Sequence, residues 1–131
     1  MAIMEGTRSL KVWQGDYSFA VDGGATGTIT LRSNDGPLPA GAYVVSGVLD
    51  VTAGFTTGTS ATGALTVEGA NDLVSATIVS GAPFSTTGNK SIVPVGTGAT
   101  AIQLSAARSP GFVIGTGTVT AGAFTLVLLY R

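Results

Sequence analysis

The chain has 131 residues, 44% of them hydrophobic and 10% charged, with 6 Lys and Arg against 7 Asp and Glu, so it is one domain in size and close to neutral. It lacks the basic field that nucleic acid or an anionic membrane would need, which excludes both as expected partners. Cysteine and histidine are absent, which excludes disulfides, thiolate or imidazole metal sites and Ser–His or Cys–His nucleophile pairs, so no cofactor is expected.

The N-terminal stretch "MEGTRSLKVWQG" carries Leu10, Val12 and Trp13 beside the cations Arg8 and Lys11. It has no basic segment followed by a long apolar run, so it does not read as a signal peptide. Synthesis in the cytoplasm as a soluble protein is the expectation. Large apolar residues are costly to leave in water, so residues 1–14 form a candidate docking arm, ahead of a sandwich domain over residues 15–131. A first strand with a short lead is the competing reading.

Next, "DYSFAV" puts Tyr17, Phe19 and Val21 on one face, and "TGTITLRS" alternates Ile29 and Leu31 with threonines. Asp22, Gly23 and Gly24 between them are turn formers, so the two segments predict a β-hairpin. "NDGPLPAG" holds two prolines and reads as an exposed connection. Residues 42–51 predict a longer strand with Tyr43, Val45, Leu49 and Val51 on one side and Val44 and Val48 on the other. Apolar side chains on both faces suit a strand covered twice, or one at an interface.

A Thr/Gly/Ser-rich stretch follows and predicts a long neutral loop. "GALTVEG", "DLVSATIVS", "KSIVPV", "TAIQLSA", "GFVIGTG" and "AFTLVLLYR" continue the period-two pattern, with turn formers between. No window carries apolar residues at helical spacing over three turns, and 20 glycines oppose one. Single helical turns near Leu73 or Phe84 are the only candidates. The fold class is therefore all-β: a single sandwich of about eight antiparallel strands.

Few motifs carry chemistry. "GTGTVTAG" and "GTGAT" resemble phosphate loops only in their glycines, because neither opens a helix and no Gly-Lys-Ser/Thr follows. Asp50, Glu68 and Asp72 would support glycosidase chemistry only if two of them faced one cleft. The Asn-Asp pairs at 34–35 and 71–72 are too short for a calcium loop and read as Asx turns. Trp13, Tyr17 and Tyr43 could stack on sugar, but core or subunit packing is the plainer use.

Taken together, "YSFAVDGGATGTITLRSNDGPLPAGAYVVSGVLDVTAGF", "GANDLVSAT" and "TVTAGAFTLVLLYR" resemble small structural proteins of tailed bacteriophages, in particular head-decoration (cement) or minor capsid proteins of jelly-roll type. The resemblance runs from about Tyr17 onward. It implies a jelly-roll-like sandwich and a non-enzymatic virion protein on the outer capsid surface that stabilises the head. The implied partner is the major capsid protein, and the implied state is a homotrimer. Arg8, Leu10, Lys11, Val12 and Trp13 are the candidate capsid or subunit contacts. The alternative is a tail-fibre, receptor-binding or carbohydrate-binding module using loops 34–41 and 55–63.

Overall fold

The computed structural model describes residues 10–94 and 102–131. Eight strands run in the order β1 (Lys11–Ser18), β2 (Gly27–Thr30), β3 (Val44–Thr57), β4 (Thr62–Thr66), β5 (Val74–Ile78), β6 (Gly88–Ile92), β7 (Gly111–Gly115) and β8 (Val119–Tyr130), with one helical turn, α1 (Phe19–Asp22), after β1. They form two four-stranded sheets, ordered β1-β8-β3-β6 and β2-β7-β4-β5, and every pairing is antiparallel.

The order has a simple origin. β4 and β5 form a hairpin, and each earlier strand meets a later one: β3 with β6, β2 with β7, β1 with β8. A long double ribbon wrapped into two layers produces that set of partners, which is the jelly-roll-like arrangement. The two layers press their alternating apolar faces together, as in other sandwiches.

Tyr17, Phe55, Phe84, Phe112 and Phe124 meet at the centre with ring centroids between 4.8 and 6.4 Å apart. Leu49, Leu65, Ile114, Leu126 and Leu128 extend this cluster toward both ends. Gly122 is needed there, because its φ is +139° and a Cβ would lie 2.5 Å from Cγ of Phe55.

Several expectations are corrected. The hairpin expected across Asp22–Gly24 does not form: β1 and β2 lie in different sheets and the chain between them crosses an end of the sandwich. The Asp22 carboxylate accepts the backbone N–H of Ser18 at 2.9 Å, closing α1, and Gly23 ends the turn with φ +77°. Tyr17 is consequently buried whereas Phe19 and Val21 are exposed, so the three do not share a face. In β3 the alternation changes phase at a bulge between Val44 and Ser46, where pairing with β8 slips. Val44, Leu49 and Val51 therefore all face the core, while Val45 and Val48 stay outside. The long Thr/Gly loop is shorter than expected, since β3 continues to Thr57 and β4 begins at Thr62. The described part of "TAIQLSA", residues 102–106, supplies an isolated bridge from Gln103 to Tyr43 and no strand. Among the described residues the one helix is α1; the single turn expected near Phe84 does form, with the N–H groups of Phe84 and Ser85 both donating to Gly81 O at 3.1 Å, whereas Leu73 lies in no helix.

Candidate functional site

Two of the three acids that could have carried chemistry, Glu68 and Asp72, are engaged in holding loops. Asp72, buried between β4 and β5, accepts backbone N–H groups from Val67, Glu68 and Gly69 at 2.8–2.9 Å. Glu68 accepts the hydroxyl of Ser105 at 2.9 Å, and Arg108 Nε lies 3.1 Å from its carboxylate. The Ser105 hydrogen bond is the main reason that the Glu68 carboxyl sits below its usual range. Asp50 lies in the other sheet, so the three acids do not share a cleft. Among the described residues no group of three or more carboxylates could hold a metal ion.

The glycine-rich motif between β7 and β8 is a turn, with Thr116 at φ +58°. The threonines around it bond inward: Thr57 Oγ1 donates to Thr118 O at 2.7 Å, and Thr118 N–H donates to Thr59 Oγ1 at 2.9 Å. These hydroxyls tie one sandwich end together and leave its surface uncharged. The "GTGAT" motif lies outside the described residues. Tyr17 donates its phenolic hydrogen to Gly23 O at 2.6 Å, and burial, reinforced by the Asp22 charge, pushes its pKa up to about 12.

The candidate contact residues divide. Trp13 is 1% exposed, and its indole N–H donates to Gly36 O at 2.7 Å. Its ring lies over Gly15, where a Cβ would come within 2.3 Å of it. The chain from Arg32 to Gly36 is pinned along β1: Asp16 and Arg32 exchange backbone hydrogen bonds, Ser33 Oγ donates to Gln14 O at 2.6 Å, and Asp35 accepts Gln14 N–H at 3.0 Å. β1 is thus covered on both edges and runs across position 14, where the arm was expected to meet the domain. A shallow polar recess of about 180 Å³, lined by Gln14, Asp16, Asn34 and Asp35, marks this docking. Lys11 is exposed, and Leu10 and Val12 are 49% and 58% exposed. Arg8 lies outside the described residues.

Val12 belongs to a larger surface that sequence reading did not assemble. On the outer face of β1-β8-β3-β6, register places Val12 beside Leu129 and Leu129 beside Ser46; the next row is Gln14, Val127, Val48 and Ser91. Val45 and Val48 are exposed, and so is Val93 just beyond β6. These apolar rows end at Asp16, Thr125, Asp50 and Asn89, with Thr125 Oγ1 donating to Asp16 at 2.7 Å. At the opposite end Tyr43 and Arg131 exchange backbone hydrogen bonds, and the guanidinium sits 5.7 Å above the Tyr43 ring. The readable signal was phase: Val12, Val127 and Leu129 alternate with the core residues Trp13, Leu126 and Leu128.

No protein-family model matches the sequence, and no curated protein matches it. The fold, however, is similar to that of chains in three solved phage capsids. With a chain of the cyanophage Pam1 capsid asymmetric unit the TM-score is 0.61 at 20% identity, over 93% of this chain and 84% of that one. With a chain of the acid-stable capsid of Helicobacter pylori bacteriophage KHP30 it is 0.60 at 13% identity, over 92% and 86%. With a chain of the Ralstonia phage GP4 capsid it is 0.64 at 19% identity, over 94% and 84%. At these identities the likeness is one of fold, over more than nine-tenths of this chain.

Proposed function

We propose that this chain is a non-enzymatic structural protein of a phage virion, which binds the outer surface of the capsid through the major capsid protein and stabilises the head. The observation that carries the reading is the similarity of fold, over 92–94% of this chain, to chains of three phage capsids. The engagement of Asp22, Glu68 and Asp72 in turns supports it, because those acids are spent on architecture. Stabilisation follows from linkage: a ligand that binds the assembled shell and not its ruptured form shifts the balance toward the shell. Arg8, Leu10, Lys11 and Val12 belong to the intermolecular contact, with Trp13 fixing β1 from beneath.

The test adds purified protein to heads assembled without it and images them. Saturable occupancy at hundreds of symmetry-related positions on the head, with a higher temperature of rupture, is the expected result. Absence of binding, or location at the tail in a few copies, would replace the reading with that of a tail module.

A further inference from the structure

We propose that the outer face of the β1-β8-β3-β6 sheet is covered by a second copy of the same face, in a twofold dimer with β8 antiparallel across β8. Charge and apolar surface are distributed along that strand so that the face complements itself. Its outward residues are Ala123, Thr125, Val127, Leu129 and Arg131, because Phe124, Leu126 and Leu128 point into the core. Leu128 is the midpoint of this pattern. Equal steps from it reach Leu129 and Val127, then Arg131 and Thr125.

Thr125 is flanked in register by Asp16 on β1 and Asp50 on β3. A twofold axis lying in the interface and crossing the strands at Leu128 therefore stacks Leu129 on Val127 of the second copy. It also delivers Arg131 to the carboxylate row of that copy. The outer residues of β1 and β3 follow the same rule, with Val12 over Gln14 and Ser46 over Val48. Two sheets packed face to face cross at about 30°, which at roughly 10 Å from the axis moves Arg131 by about one strand spacing, onto Asp16 or Asp50. The stacking of Arg131 on Tyr43 holds the guanidinium at the face in advance.

The geometry also bounds the strength. Four strands about 4.8 Å apart and about 20 Å of length give roughly 400 Å² of flat face per copy, about half of what each partner of a standard interface buries. The dimer is therefore reversible in solution. A closed trimer, the state that the sequence resemblance implies, needs two different patches per subunit, whereas this face complements itself. The inference assigns Val12 to the contact between subunits and not to the capsid, and its test needs no capsid.

Sedimentation velocity across tens of micromolar to near-millimolar protein tests it. The expected result is a concentration-dependent monomer–dimer equilibrium, weakened at least about tenfold by Val12→Lys, by Val48→Lys and by Arg131→Glu. A second protein, Asp16→Lys with Asp50→Lys, should also fail to dimerise alone. Mixed with Arg131→Glu it should form a heterodimer, because both ends of the interface then carry opposite charges. Circular dichroism and thermal melts verify that each variant is folded; Val12→Lys and Arg131→Glu change exposed positions. A protein that stays monomeric throughout overturns the proposal. So does a trimer, a dimer indifferent to these changes, or a monomer whose Val12→Lys variant loses only capsid binding, which would give the face to the capsid.

Discussion

Replacing Trp13 by alanine decides whether this residue is a docking element or part of the sandwich core. The indole is 1% exposed, lies over Gly15 and donates to Gly36 O at 2.7 Å, in the segment that covers the edge of β1. Truncating a buried Trp costs about 3–5 kcal/mol, and the lost hydrogen bond strands a carbonyl at a further ~1 kcal/mol. A loss of about 4–6 kcal/mol is a large share of the 5–15 kcal/mol that holds a typical domain, and corresponds to a fall in Tm of roughly 12–30 °C at this size. Urea unfolding of both proteins, followed by circular dichroism, measures the difference. The protein has 1 Trp, so its fluorescence reports the same site: the native emission should be blue-shifted and shielded from quenchers until the unfolding transition. A loss below about 1 kcal/mol, with native emission already that of a water-exposed indole, would refute the core placement and return Trp13 to the arm.

Gly122→Ala should destabilise by about 1–3 kcal/mol in the same urea assay, because the new Cβ meets the Phe55 ring at 2.5 Å and the backbone holds φ at +139°. Asp72→Ala removes the acceptor of three backbone N–H groups and should cost about 2–4 kcal/mol; wild-type stability would mean that water serves those donors equally well. Tyr17 has its pKa raised from 10.0 to about 12, so its contribution is fully present below pH 10 and is lost as pH rises through 12. Tyr17→Phe should flatten that alkaline fall relative to wild type, while lowering stability near neutrality by about 1–2 kcal/mol through the loss of the bond to Gly23 O.

The sequence by itself determined the class of fold and most strand positions. Alternation is a local property: Leu126 and Leu128 cannot share a face with Val127 in an extended chain, whatever lies opposite. It also determined that imidazole and thiol chemistry are not open to these 131 residues, since His and Cys are counted without coordinates. Only the tertiary structure decided which strands meet. β1 and β2 alternate as a hairpin would, yet Asp22 turns the chain at α1 and sends β2 to the other sheet. The bulge after Val44 was likewise out of reach, because an extra residue in β3 shows only against the register of β8 and reverses which valines face outward. For Trp13 the sequence leaves core packing and an intermolecular contact both open; the bond to Gly36 O, distant in the chain, places it in the core. The outer face with its two charged ends also depends on pairing, for Asp16, Thr125 and Asp50 become one row only when three strands far apart in sequence lie side by side. Period-two patterning constrains each strand alone, whereas partner and register are settled by contacts that no single segment contains.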